Sequence, residues 1–232
     1  MDCLLFSVYG HSIEVYRSIF APVKSNMFVI LTGREAVVFD PNENQELLQL
    51  FEDKEIETVH IFLTHEHYDH TSGVNWLKEN TGADVYCQME CAEVIKTRCG
   101  NNPALVALVL ADQDKQDGGH RYKDFKAHFV PYTIEVNNTF DKEFFLTIGE
   151  LNFHVVSTPG HCPGAACYEL FDKMVFTGDT LLQNDPVILS FRESRKDNYE
   201  KIALPYLRSL PKDTIIMPGH GEPFILKETK NI

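Results

Sequence analysis

No Cys-x-x-Cys pair occurs in the chain, although cysteines stand at positions 3, 87, 91, 99, 162 and 167. A thiolate zinc knuckle or a dithiol redox motif is therefore not expected. Cys87, Cys91 and Cys99 are poorly spaced for a metal, and the thiols read as reduced, buried or incidental. Runs of lysine or arginine are also missing. With 34 acidic against 21 basic residues the formal net charge is -13, a surface that repels phosphate backbones and anionic lipid. Nucleic acid and membranes are thus not expected as partners. The strongest apolar run, ALVALVLA at 104–111, is far too short to span a bilayer. The opening MDCLLFSVYG has an acid at position two and no basic segment, unlike a secretory signal. Together these absences imply a soluble cytoplasmic protein. Internal repeats and low-complexity linkers are missing as well.

What is present is material for a core. The chain of 232 residues is 44% hydrophobic, with 16 Phe and 9 Tyr, enough for one sizeable domain over 1–232. Strand-like runs are NMFVIL and EAVVFD around a turn at Gly33, then TVHIFLT and ADVYC. Apolar residues at 47, 48, 50 and 51 predict an amphipathic helix within 42–55. TSGVNWLKEN reads as a helix capped by Thr71 or Ser72, and CAEVIKT as a short helix. Asn102 and Pro103 open a further helix. Its apolar residues run all round, so the core or a second copy of the chain must cover it. DQDKQDGGHRYKDF, which follows, reads as an exposed loop. FFLTIGELNFHVVSTPG, AACYELFDKMVFTGD and TIIMPGHGEP supply later strands, with an amphipathic helix in DNYEKIALPYLRSL. Strands and helices mixed in both halves give an α+β class, with helices packed outside sheets.

Four apolar strands each end in a metal-type side chain. VHIFL runs into THEHYDH, residues 64–70; FHVVSTPGH ends at His161; KMVFTGD ends at Asp179; TIIMPGH ends at His220. If these strand ends share one rim, the ligands gather there. His65 and His67 are two apart and point to one side in extended chain, which suits one ion. Glu66 and Tyr68 point the other way and drop out as ligands. Asp69 and His70, beyond the turn, face a second ion. The set divides into His65, His67 and His161 on one ion, Asp69, His70 and His220 on the other, and Asp179 between them. Imidazole and carboxylate donors without thiolate suit Zn, Fe or Mn. His11, His60, His120, His128 and His154 lack this context and read as ordinary hydrogen-bonded residues.

THEHYDH with Gly73, TPGHCPG, TGDT and PGHG, in that order, resemble the metallo-β-lactamase superfamily, and Asp40 fits that family's early acidic position. The resemblance implies an αββα four-layer sandwich, two mixed β-sheets flanked by helices, with a dinuclear site at one edge and the same division of ligands. TPGHCPG and PGHG are most similar to the glyoxalase II (hydroxyacylglutathione hydrolase) branch. Asp179 stands where the most familiar β-lactamases carry cysteine, and His67 where flavodiiron oxygen reductases carry glutamate. Few residues follow His220, so the helical domain that helps glyoxalase II bind glutathione is expected to be missing. The long interval between His70 and His161 implies an insertion at about 97–133, which caps the site or forms a dimer contact.

The implied activity is a metal-dependent hydrolase acting on a small-molecule ester, thioester or lactone. Two divalent ions, zinc first, would lower the pKa of a shared water from 15.7 to about 7 and supply a hydroxide nucleophile. Asp69 orients that nucleophile and carries a proton. Asp40, Thr64 and Glu222 are expected to fix ligand histidines through their other nitrogens. Tyr68 is read as a substrate contact or an exposed aromatic. Cys162 is placed at the pocket wall without an activating partner. The alternatives are a mononuclear iron persulfide dioxygenase, which shares His65, His67 and His161, and a phosphodiesterase.

Overall fold

Two mixed sheets form in the computed structural model, which describes residues 1–9 and 11–232. The first contains β1 (Asp2–Val8), β2 (His11–Phe20), β3 (Ser25–Thr32), β4 (Glu35–Phe39), β5 (Thr58–Phe62), β6 (Asp84–Gln88) and β7 (Asn138–Phe140), in that spatial order. Its β1–β4 half is antiparallel; from β4 to β7 it is parallel. The second contains β8 (Glu143–Ile148), β9 (Leu151–Ser157), β10 (Ala166–Leu170), β11 (Met174–Gly178), β12 (Ile215–Pro218) and β13 (Phe224–Ile225). Neighbours there are antiparallel except β11 and β12, which run parallel, so β9, β11 and β12 all point the same way.

Alternating side chains explain the layering. Phe28, Ile30, Val37, Phe39 and Phe62 face Phe153, Val155, Tyr168, Phe176 and Met217 across the sandwich. Phe39 and Phe176 stack at 3.7 Å between ring centroids, 4° from parallel. The opposite face of the first sheet is covered by α1 (Gln45–Asp53), α3 (Val74–Thr81) and α4 (Met89–Ile95), through Leu47, Phe51, Val74, Leu77, Cys91 and Ile95, while the short α2 (Tyr68–Thr71) packs through Tyr68 on Phe20 and Phe125. Next in the chain come α5 (Ala104–Asp117) and α6 (Arg121–His128). The outer face of the second sheet is covered by α7 (Lys196–Asn198), a π-helical turn Tyr199–Ala203 and α8 (Leu204–Ser209), with Leu207 in the seam. This is the four-layer αββα sandwich expected from the sequence. No helix of the described residues is long and apolar enough to cross a membrane.

Some local expectations change. The hairpin β1–β2 lies in residues left unassigned by the sequence reading. The helix predicted to start at Thr71 or Ser72 starts at Val74 instead, as α3 with Gly73 at its cap position. A separate short helix, α2, precedes it inside the histidine motif, where His70 N–H bonds His67 O at 3.0 Å. Thr71 is therefore no cap; its hydroxyl donates to the same carbonyl and meets Tyr132 Oη. The cap position of α5 falls on Pro103, one residue later than expected, with Asn102 Oδ1 accepting from Ala104 N–H at 3.0 Å just ahead of it. The stretch 112–125, expected as an exposed loop, is helical at 112–117 and again from 121, where α6 begins. Gly118, at φ +76°, ends α5, and Asp114 accepts from the N–H groups of Arg121 and Tyr122 to start α6. The π-helical turn precedes Pro205, whose ring leaves no N–H for a regular helical bond.

Candidate metal centre

Each functional side chain sits just past the end of a strand. β5 delivers residues 64–70, β9 delivers His161, β11 delivers Asp179 and β12 delivers His220. Two backbone bonds tie the sheets together at this edge: Ala166 N–H to Thr64 O at 2.8 Å, and Asn26 N–H to Gly219 O at 2.7 Å. Two glycines allow the close approach. A side chain on Gly178 would overlap Thr64, and one on Gly219 would overlap Asp179.

The structure brings all seven sequence-predicted donors together. His67 Nδ1 lies 3.1 Å from His65 Nε2 and 3.0 Å from His161 Nε2. Nearby, Asp69 Oδ2 lies 3.4 Å from both His70 Nε2 and His220 Nε2. Asp179 faces both groups: Oδ2 is 3.5 Å from His161 and from His220, and Oδ1 is 3.6 Å from His70.

The outer nitrogens of these rings settle which atoms carry protons. His70 Nδ1 donates to Asp40 Oδ2 at 2.8 Å. Thr64 Oγ1 donates to the same oxygen at 2.6 Å, so it accepts from His65 Nδ1 at 3.0 Å. His161 Nδ1 donates to the carbonyl of Ile188 at 3.0 Å. At His65 and His161, which burial keeps neutral, the bond leaves the inward nitrogen as a bare lone pair. These two lone pairs lie 3.1 and 3.0 Å from His67 Nδ1, and a cation among the three nitrogens would relieve their crowding. His70 Nε2 and Asp179 Oδ1 are buried and have no hydrogen-bond partner. Orphaned donors of this kind, all nitrogen or oxygen, fit borderline or hard divalent ions.

The charge pattern agrees. Burial, reinforced by His70 and His67, pushes His65 well below the usual histidine range. Burial likewise takes His161 down to about 4, against the pull of Asp179. Neutral imidazoles are what metal ligation requires. Burial alone would raise Asp69, but His70 and His220 outweigh it and hold the carboxylate well below its ordinary range. His220, His70 and His161 overcome burial in the same way at Asp179. Against burial, Asp69, Asp179 and Asp40 push His70 well above the usual histidine range, and Asp179 and Asp69 raise His220, so the second group pairs carboxylates with rings that favour positive charge.

Asp40 and Thr64 each meet a ring of the donor set, Asp40 at His70 and Thr64 at His65. Glu222 does not. Its carboxylate accepts from Arg17 Nη1 at 2.6 Å, so it fastens the loop after His220 to β2 rather than holding a histidine. The exposed alternative for Tyr68 is also corrected: it is 5% exposed and packs against Phe125, Phe129 and Tyr132. Glu66 turns away from the donors and accepts from Cys162 Sγ at 3.1 Å and Gly164 N–H at 3.3 Å. Burial, reinforced by Glu66, keeps the Cys162 thiol protonated. Among the histidines read as ordinary, His60 pairs with Glu35 and His154 with Glu143. The side chain of His11 lies outside the described residues.

One participant was not expected from the sequence. Glu193 Oε1 lies 3.5 Å from His67 Nε2, and His67 draws the carboxyl below its ordinary range. Glu193 belongs to the loop FRESRKD, which carries no motif. The Ile188 carbonyl had no side-chain signal at all. Above the donors opens a cavity of about 780 Å³, reached by Tyr68, Asn102 and Arg192 as well as by the donors.

A four-layer sandwich with histidine and aspartate donors at one sheet edge defines a metallohydrolase class. The profile described as "Metallo-beta-lactamase superfamily" matches residues 21–220, and the chain belongs to that superfamily. It is 22% identical over 202 residues to "Probable metallo-hydrolase YqgX" of Bacillus subtilis, covering 86% of each chain. It is 28% identical over 188 residues to a "Hydroxyacylglutathione hydrolase" of Pelagibacter ubique, covering 80% of this chain and 61% of that one. A solved structure, TTHA1623 in a di-iron-bound form, shares the fold at a TM-score of 0.72 with 24% identity, covering 94% of this chain and 100% of that one.

Proposed function

We propose that the protein hydrolyses a small ester, thioester or lactone with two divalent ions at this site. His65, His67 and His161 would hold one ion, Asp69, His70 and His220 the other, and Asp179 would serve both. The carrying observation is the sharing of Asp179 between two complete donor groups. Bound there, the ions would acidify a water and polarise the substrate carbonyl. The donor set admits zinc, iron or manganese, and the name of the Pelagibacter relative supports thioester hydrolysis.

The chain's own residues do the rest. Asp40, Thr64 and the Ile188 carbonyl fix the rings of His70, His65 and His161 by hydrogen bonds, and Glu193 stands 3.5 Å from the outer nitrogen of His67, so the donors need little reorganisation. Asp69 lines the cavity, held ionised. From there it orients the attacking water and takes its proton toward the leaving group. A persulfide dioxygenase on a single iron would leave Asp69, His70 and His220 without a task. A phosphodiesterase is disfavoured by the net charge of -13.

The test is a panel of thioesters, esters, lactones and phosphodiesters assayed on protein of known metal content. Turnover confined to carboxylic esters, thioesters or lactones is expected. Turnover of phosphodiesters alone, or oxygen uptake on a persulfide, would refute the reading.

A further inference from the structure

We propose that the cavity above the donors receives the apolar acyl chain of the substrate, making the substrate a fatty ester or thioester of medium or branched chain. This rests on the hydrolase reading given above. The cavity, about 780 Å³, is far larger than a two- or three-carbon acyl group requires. Five of the donors, His67, Asp69, His161, Asp179 and His220, line it. Val94 from α4 and Leu105 and Val109 from α5 line it too, as do Leu182, Ile188 and Phe191 from the loop after β11, a loop that also brings Asp185, Arg192 and Glu193 to its border.

The apolar lining is left partly uncovered: Ile188 is 46% exposed and Val109 43%. Leu105 and Val109 are four residues apart on α5 and share a face. The helix is apolar all round for a stated reason on two of its sides. Val106 and Leu110 pack with Phe20, Tyr68 and Phe125, while Leu105 and Val109 turn to the cavity. Leu108, on the remaining side, stays 66% exposed. Glu66 also borders the cavity, but its carboxylate is engaged by Cys162 and Gly164. An acyl chain lying in the cavity would cover the exposed aliphatic groups and gain free energy with each methylene buried. Chain length is therefore what this cavity measures.

The experiment uses the metal-loaded protein with 4-nitrophenyl esters from acetyl to decanoyl. In parallel, straight-chain carboxylates from acetate to decanoate are titrated calorimetrically. The expected rise in kcat/KM is about two- to fourfold per added methylene, with carboxylate affinity rising alongside. Val109→Asp and, as a second variant, Leu105→Trp should each cut the decanoyl-to-acetyl ratio about tenfold or more. Leu108→Asp, outside the cavity, should leave that ratio in place. Carboxylate affinity and turnover that are both flat across the series overturn the acyl-chain proposal while sparing the hydrolase reading. Length-dependent carboxylate binding without turnover of any ester, thioester or lactone supports the acyl site and overturns the hydrolase reading instead.

Discussion

Glu193 sets a carboxylate oxygen 3.5 Å from His67 Nε2, on the side of the ring away from the Nδ1 that faces His65 and His161. His67 and His161 both take their outer partners from the loop after β11, His67 from the Glu193 carboxylate and His161 from the Ile188 carbonyl. Glu193→Gln should lower metal affinity about 10- to 100-fold while leaving the fold intact. Chelator competition measures the first, and far-UV circular dichroism the second. Affinity equal to the parent's would show that the contact holds nothing in place.

Asp40 accepts from Thr64 N–H at 2.7 Å, from Thr64 Oγ1 at 2.6 Å and from His70 Nδ1 at 2.8 Å, all out of solvent. Asp40→Ala leaves these donors unpaired, and the expected loss is about 3 kcal/mol of unfolding free energy. Asp40→Asn should lose less. Asparagine tolerates the left-handed backbone at this position, φ +49°, and can still accept. Urea unfolding of both variants checks the order.

Phe39 and Phe176 stack across the two sheets in the middle of the core. Phe176→Ala should cost about 3–5 kcal/mol. The ring lies on β11, close to Asp179, so the cavity it leaves should also loosen the shared ligand. A melting temperature equal to the parent's would show that this stack contributes nothing to the sandwich.

The join of α5 and α6 carries a pH signature away from the metal centre. The Arg121 guanidinium, helped by Gly119 N–H, lowers the Asp117 carboxyl to about 2. A carboxyl depressed in the folded state stabilises it above the ordinary carboxylate range, and that contribution fades as pH falls through about 2. Carboxyl carbon chemical shifts should give a midpoint near that value. Arg121→Ala should move it upward.

The seven donors are legible in the sequence because each follows an apolar strand within a few residues, and short strands leave little freedom in where a ligand falls. The sandwich is legible for a similar reason: the runs that became β3 to β6 and β9 to β12 are rich in branched and aromatic residues. Other parts depend on contacts remote in the chain. Glu222 resembles a histidine partner by proximity to His220, yet Arg17 on β2 claims it. Glu193 and the Ile188 carbonyl reach the rings from a loop without regular structure. The helix α6 is polar enough to read as loop; Phe125, packed beside Tyr68, anchors it. Tyr68 was ambiguous until those neighbours were placed.

The most direct measurement is the metal content of the purified protein and of its Asp179→Ala variant, taken together with esterase or thioesterase activity. The expected result is two divalent ions per chain in the parent, with metal and activity lost together in the variant. An Asp179→Ala protein that keeps full activity without bound metal would contradict the dinuclear site.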